Sequence, residues 1–534
     1  MTQAEAFSLA VANVSAFGDT DVFPSPLDRF AFSDRPAEVI VILDKIDGTF
    51  IQSLADFPPE NIDALAPLGY TAFRWVTQLD PVWNLYLLGK VISVAGTIER
   101  KRLPVSENAV FSYRFHPDTS TGHLFSDSTW RHYKISALEK SRNFPFVLVA
   151  DIADFYSRVA HHRLENELIR LEEQPETCRR ITKLLSQFSN TRSYGLPVGG
   201  PASRILAELA LNPVDLYLRA KGIQFCRYVD DFHIFASSKQ EAFSNLSFLS
   251  QILFTEGLSL QRAKTRILST QELRDSSSFF DNAEISDVTQ LAPEARLMRV
   301  SVNYDPYSAT AKDDYEALKD AVQSIDIVGI LARETAKSSI DIQVTKQAIA
   351  AIRALEPSVR NGAIATLVDS SNLEILAPVF SNVMRLLRAL YHELDEPTRD
   401  LTDIACLKLF ADKSHIIENE INLVFLLKFF GQRQSVGKEK LLIELFDSTP
   451  SSLIRKEIIL IMAKWNVTYW LSNQLRRFGT LSSWERKAFI VASFYLSDEG
   501  RHWRVHSKRT LSDAEILIRD WYEERLRRTT EIPL

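Results

Sequence analysis

The pattern of apolar and polar positions changes character twice along the chain. Up to about residue 140, short apolar runs alternate with turn clusters such as Phe23-Pro24-Ser25-Pro26 and Asp56-Phe57-Pro58-Pro59, which predicts irregular helices and loops. Between about 145 and 270 the pattern sharpens. Phe146-Val147-Leu148-Val149-Ala150 is a continuous apolar run, as expected of a strand buried on both faces, and it ends at Asp151. Gln224-Phe225-Cys226-Arg227-Tyr228 and Phe232-His233-Ile234-Phe235-Ala236 predict two more strands, meeting at Val229-Asp230-Asp231. This central stretch therefore reads as α+β.

From about 310 the pattern predicts helix after helix. Ser482 and Glu485 make an S-x-x-E capping box ahead of Trp484, Ala488, Val491, Ala492 and Tyr495, which recur at helical spacing. Arg455-Lys456 followed by Ile458, Ile459 and Met462 is echoed about thirty residues later by Arg486-Lys487 followed by Phe489, Ile490 and Ala492, with a fainter copy at Arg360, Ala363, Ile364 and Leu367. Stacked helical pairs resembling HEAT repeats are one reading, and an ordinary helical bundle is the equal alternative. The expected organisation is an N-terminal helical segment over 1–140, an α+β domain over 141–300, and an all-α, HEAT-like domain over 301–534.

Composition narrows the class. At 534 residues the chain exceeds a single compact core. A balance of 46% hydrophobic and 24% charged residues is that of a folded rather than a disordered protein. The formal net charge of -6 means that a nucleic-acid partner must be met by local basic patches, not by bulk charge. Cys178, Cys226 and Cys406 show no C-x-x-C spacing, so neither a disulfide framework nor a zinc site is expected. The N-terminal sequence lacks a signal-peptide pattern and no apolar run reaches about 18 residues. The expectation is a cytoplasmic protein with no membrane partner.

The acidic residues carry the chemistry. Adjacent carboxylates repel and raise one another's pKa, so gathering Asp151, Asp230 and Asp231 is costly unless a cation lies between them. Mg²⁺ suits such a set, because it takes a few carboxylates, keeps waters and completes its shell with substrate phosphates. In a two-metal site, one ion activates a hydroxyl and the other stabilises the leaving oxygens. An isolated Asp-Asp pair is more often a solvated turn, so the pair alone proves little.

Order and spacing add to it. Asp151-Ile152-Ala153-Asp154-Phe155-Tyr156 resembles motif A of the reverse-transcriptase palm, and Tyr228-Val229-Asp230-Asp231 resembles motif C. Between them, Gly195-Leu196-Pro197-Val198-Gly199-Gly200-Pro201-Ala202-Ser203 is similar to motif B, and Lys264 sits where motif D supplies a lysine near the leaving pyrophosphate. The resemblance covers roughly residues 80 to 300. Phe111-Ser112-Tyr113-Arg114-Phe115, Phe155-Tyr156 followed by His161-His162, and Arg204-Ile205-Leu206-Ala207-Glu208 look like the bacterial abortive-infection and defence-associated reverse transcriptases, whose C-terminal halves are commonly helical repeats.

The resemblance implies a right-hand architecture with fingers within 1–140 and the palm, carrying motifs A to D, over 141–300, with Asp151, Asp230, Asp231 and the backbone of Ile152 holding Mg²⁺ or Mn²⁺. It implies nucleotide contacts from Pro197, Gly199, Lys264, Arg114 and Lys101, and an aromatic gate against a ribose 2′-OH at Tyr156. Phe155 is left to the core. The run Glu99-Arg100-Lys101-Arg102 also reads as a solvated face, and Arg114 is the preferred triphosphate clamp. Val198 and Gly200 stand where many reverse transcriptases have Gln and Ser, which puts template dependence in doubt. His161, His162 and His233 read as structural. Arg501, Arg504, Lys508 and Arg509, interleaved with His502, Trp503 and His506, suit a phosphate contact or a solvated helix end.

Implied partners are deoxynucleoside triphosphates, a DNA product that in relatives is covalently attached to the protein, and a further copy of the chain in a homo-oligomer. The implied role is antiphage defence. Priming is unassigned, with Tyr70 and Tyr86 as exposed-looking candidates near turns. A structured noncoding RNA as template is the rival enzyme reading, and a helical scaffold with a lapsed palm is the rival of another class.

Overall fold

The structure, a computed structural model, describes residues 1–126, 130–189, 192–276, 293–302, 325–529 and 531–533. The chain forms two units. The first comprises Met1–Ser25, Arg35–Asn61 and Thr77–Ile285, and the second Pro26–Asp34, Ile62–Val76 and Ser286–Leu534. The division thus differs from the sequence expectation, since two N-terminal segments belong with the helical C-terminal half.

Three sheets hold the eight strands among the described residues: β1 (Ile62–Pro67), β2 (Phe73–Gln78), β3 (Phe115–Asp118), β4 (His123–Phe125), β5 (Phe146–Asp151), β6 (Phe225–Tyr228), β7 (Asp231–Ala236) and β8 (Arg266–Ser269). In the first unit β6, β7, β5 and β8 form one antiparallel sheet in that order. The apolar run of β5 is explained by its central place, with β7 on one side and β8 on the other. Phe111, Tyr133, Ala137, Leu138, Val147, Cys226, Phe235 and Leu273 form the core on one face, where the Trp130–Ser141 helix packs. The Lys239–Thr255 helix also packs against β5 and β7. Strand alternation sends Cys226 and Tyr228 towards Tyr133, so Arg227 points the other way, to the Pro201–Ala220 helix.

In the second unit the helices Phe380–Leu390, Glu420–Phe430, Ser452–Lys464, Ser483–Ala492 and Asp513–Arg525 pack each on the next. Ion pairs join consecutive members at a nearly constant interval. Lys428 pairs with Glu457 at 3.0 Å, Arg455 with Glu485 at 3.6 Å, and Arg486 with Glu515, 29 residues further on, at 2.5 Å. Arg360 reaches Glu393 in the same manner. The repeated Arg-Lys phrases are therefore inter-helix ties, and Ser482 caps its helix by accepting from the Glu485 N–H at 3.3 Å. The N-terminal segments are tied in by polar bonds: Lys487 to Asp28 at 2.7 Å, Trp521 Nε1 to Asp34 at 2.6 Å, and Asn419 Nδ2 to the Leu65 carbonyl at 2.7 Å. No helix among the described residues is long and apolar enough to cross a membrane.

Candidate active site

Register brings the three acids together. In the β5–β7 ladder Asp151 stands opposite Asp231, and in the β6–β7 ladder Asp231 also faces Tyr228. Asp230 lies in the two-residue connection between β6 and β7, and its carbonyl accepts from the Ile152 N–H at 3.1 Å. Behind Ile152, which bridges to Leu260, the Ala153 N–H donates to Ser259 at 2.8 Å and the Gln261 N–H donates to the Asp151 carbonyl at 2.7 Å. This carries the motif D segment to the acids. Lys264 then extends its ammonium to Asp151 Oδ2 at 2.7 Å.

Electrostatics mark the cluster as strained. Burial, followed by the charges of Asp231 and Asp151, pushes the Asp230 carboxyl up to about 6. Asp231 is raised too, by burial first, against the opposing pull of Lys134. Burial works against the charge of Lys264, but its bond to Asp151 and the nearby acids hold its pKa above the ordinary value. Among the described residues no group of three or more His, Cys, Asp or Glu side chains is gathered tightly enough to hold a metal ion by itself, as a preformed cage would. An open set of carboxylates completed by phosphates and water does not need one. The donor chemistry fits a hard divalent cation: all oxygen, with Asp151 buried and Asp230 and Asp231 half-buried, and mutually repelling when ionised.

Two groups at this site were assigned no role from the sequence. Lys134, on the Trp130–Ser141 helix, is held over the rings of Trp130 and Tyr133, 5.1 and 5.2 Å from their centroids. Burial depresses its pKa while Asp231 supports its charge. Tyr113, Tyr133 and Tyr228 form an aromatic wall beside the acids, with centroids 5.9 to 6.1 Å apart. A lysine in an apolar-faced helix and scattered tyrosines give no sequence signal of convergence.

The motif A and motif B segments are stapled together. The Leu196 N–H donates to the Tyr156 carbonyl at 2.7 Å, and the Gly195 N–H to the Val159 carbonyl at 2.8 Å. Tyr156 is half-buried, and burial, then Tyr113, raises its phenol well above the ordinary value. Phe155 is a core residue. Gly199 has a φ of 96°, and a Cβ there would lie 2.4 Å from Asp21 Oδ1, so the conformation and the close approach both require glycine. Pro197 precedes it in the same loop, and Val198 is buried, its carbonyl accepting from Thr20 at 3.5 Å. Arg204 lies over Tyr113 at 5.1 Å and pairs with Asp21 at 3.1 Å.

The proposed triphosphate clamps sit elsewhere. Arg114 is 3% exposed, and its guanidinium is spent on Glu99 at 2.9 Å and the carbonyls of Leu103 and Val110 at 2.8 and 3.0 Å. Its position corrects the expectation of a free fork, because a guanidinium with these three acceptors is a structural brace. Lys101 donates to the Arg170 carbonyl. Arg102 bonds Glu99, Glu208 and the carbonyls of Ser112 and Tyr113. Tyr86 is not the exposed candidate expected: it is fully buried within the Pro81–Lys101 helix and donates to Asp47 at 2.9 Å. Tyr70 is 41% exposed, in the second unit, with its hydroxyl on the Ile375 carbonyl at 2.5 Å. His161 meets the Gly195 carbonyl at 2.7 Å, and His233, buried against Tyr133 with its pKa well below the usual value, is structural as its alternation predicts.

Beneath the β6–β7 turn runs a buried chain of alternating charge. Arg227 bonds both oxygens of Asp215, at 2.7 and 2.5 Å, and meets Glu208 at 2.9 Å. Glu208 meets Arg102 at 2.7 Å, Arg102 meets Glu99 at 2.9 Å, and Glu99 meets Arg114. Burial opposes the charge of Glu208, but Arg227 and Arg102 outweigh it and hold the carboxyl below its ordinary value. Glu208 and Asp215 lie one heptad apart in an apolar helix, a pattern that signals a buried charge in want of a partner.

Residues 98–312 match the family model described as "Reverse transcriptase (RNA-dependent DNA polymerase)". A curated relative, the retron Ec86 reverse transcriptase of Escherichia coli, is 27% identical over 133 residues, which is 24% of this chain and 40% of that protein. The chain thus spans about two fifths of the length of the relative it matches. Residues 98–312 thus carry a reverse-transcriptase domain, in a mixed α+β setting.

Proposed function

We propose that the protein extends a DNA strand with deoxynucleotides, using Asp151, Asp230 and Asp231 to hold Mg²⁺ or Mn²⁺. One observation carries this: antiparallel register sets Asp151 opposite Asp231, with Asp230 at the adjoining turn. Bound ions would activate the 3′-hydroxyl and stabilise the charge developing on the phosphates. The chain's own residues do the rest. The carboxylates, with the Ile152 carbonyl beside them, supply hard oxygen donors. Lys264, seated on Asp151 in the metal-free protein, would be the lysine available to the departing pyrophosphate, while Lys134 adds positive charge near Asp231. The Pro197–Gly199 loop supports the nucleotide, and the Tyr156 ring lies beneath its sugar and excludes a 2′-OH.

The ordered stacking of helices and the recurring ion pairs support a HEAT-like reading of the second unit. By resemblance the biological role is antiphage defence in the cytoplasm, by a homo-oligomer whose DNA is protein-primed and made without a template. The retron relative favours a second version, in which a noncoding RNA is the template. The scaffold reading has no structural support of its own, because Asp230 and Asp231 are costly to keep ionised without a cation.

Purified protein given deoxynucleotides with Mg²⁺ or Mn²⁺ tests the proposal. Wild type is expected to incorporate label and to prefer deoxynucleotides to ribonucleotides, and Asp230→Ala with Asp231→Ala to lose incorporation by at least about 10³-fold, as expected when charge stabilisation of the transition state is removed. Equal incorporation by the double variant sinks it. Label that survives nuclease and denaturation on the protein band indicates protein priming. Dependence on a discrete co-purifying RNA indicates the templated version.

A further inference from the structure

The turn that carries Asp230 adopts an unfavourable backbone conformation. Val229 has a φ of 55°, a left-handed value that places its β-branched side chain among genuine outliers. Something must hold it there. Its N–H donates to Ser112 Oγ at 2.9 Å, and its carbonyl accepts from Arg227 Nη1 at 2.8 Å. Both partners are completely buried, at 0% exposure. Ser112 has one hydroxyl proton, and it goes to Glu208 Oε1 at 2.5 Å, which leaves the oxygen's lone pairs for Val229. Glu208 in turn is fixed by Arg227 and Arg102.

Ser112 reaches this position by strand-like pairing. The Arg227 N–H donates to the Ala109 carbonyl at 2.7 Å, the Phe111 N–H donates to the Arg227 carbonyl at 3.0 Å, and Val110 bridges Arg227 in parallel. The 109–112 segment therefore lines β6 and delivers the hydroxyl beneath the turn.

We propose that Ser112 is a positioning residue for Asp230: its hydroxyl, with the Arg227 guanidinium, clamps Val229 in the left-handed conformation that presents the Asp230 carboxylate to Asp151 and Asp231. The inference rests on the reading of these acids as the metal site. A valine freed from the clamp returns to negative φ, and the carboxylate leaves the cluster. A glycine at 229 takes positive φ without help.

The test is Mn²⁺ binding to the full-length protein, read by the electron paramagnetic resonance of free Mn²⁺, alongside incorporation. Ser112→Ala is expected to bind Mn²⁺ about tenfold more weakly and to need correspondingly more Mn²⁺ for incorporation, and Ser112→Ala with Val229→Gly to recover most of that affinity. A hydroxyl that merely fills space gives no such rescue. Should Ser112→Ala not be recovered folded, Ser112→Cys, of similar size but a poor acceptor, carries the same comparison. Wild-type Mn²⁺ affinity in the single variant, or a loss that Val229→Gly leaves unrelieved, overturns the proposal. Because binding is read without turnover, protein that shows this Mn²⁺ pattern yet incorporates no nucleotide sinks the polymerase reading and leaves the clamp standing.

Discussion

Asp230→Asn is expected to melt several degrees above wild type in metal-free buffer at pH 7.5, while losing nucleotide incorporation. In the metal-free protein the Asp230 carboxyl is pushed up to about 6, by burial first and then by Asp231 and Asp151. A raised carboxyl contributes stability that is fully present below its unfolded pKa, near 4, and is lost as pH rises through about 6. The wild type therefore pays for an ionised Asp230 at neutral pH. A shift of about 2 units corresponds to at most on the order of 3 kcal/mol, less whatever solvent screening removes. Asparagine keeps the shape and removes the charge. Each kcal/mol moves the melting point by roughly 2–4 °C in a body of this size. Mn²⁺ should reverse the order, raising the wild-type melting point by mass action and leaving Asp230→Asn nearly unchanged. Thermal melts across pH 4 to 8, with and without Mn²⁺, check each sign. A wild type that gains stability from pH 4 to 7 relative to Asp230→Asn contradicts the account of Asp230.

Arg227→Ala is expected to destabilise the first unit by about 3–5 kcal/mol, the usual cost of breaking a buried ion pair from one side. Arg227 is wholly buried and gives Asp215 two hydrogen bonds. Without it, Glu208 still has Arg102 and Ser112, but Asp215, whose pKa burial already raises despite Arg227, is left as an uncompensated acid. The variant also loses its bond to the Val229 carbonyl. By contrast, Arg179→Ala, which removes an exposed pair with Glu176 at 3.6 Å, should cost less than about 1 kcal/mol. Urea unfolding followed by the fluorescence of the first unit's tryptophans distinguishes the two, and equal midpoints would mean that the chain of charges contributes nothing to stability.

What the sequence revealed follows from where local pattern is sufficient. The apolar run of β5 is readable because a central strand is covered on both faces, and the hairpin is readable because its strands flank a two-residue turn. Together they place three acids at one end of the central strands, since antiparallel register is dictated by the same alternation. The Arg-Lys echoes at 455 and 486 are readable because both helices use the same kind of tie to the next helix. Arg114 misled the reading: a basic residue beside a motif has the same sequence whether it meets a triphosphate or, as here, Glu99 and two carbonyls. Tyr86 misled it for a similar reason, because proximity to a turn in sequence does not reveal a partner such as Asp47 thirty-nine residues away. The assignment of Pro26–Asp34 and Ile62–Val76 to the second unit had no local signal at all. It depends on long-range bonds such as Lys487 to Asp28.

Crystals of the full chain grown with Mn²⁺ and a non-hydrolysable deoxynucleoside triphosphate give the most direct measurement, read as anomalous scattering. Mn²⁺ peaks should appear at about 2.1 Å from carboxylate oxygens of Asp151, Asp230 and Asp231, typical of a hard cation on oxygen ligands, with Lys264 withdrawn from Asp151. Lys264 still seated on Asp151, with anomalous peaks only elsewhere in the molecule, would contradict the claim that these three acids exist to hold metal.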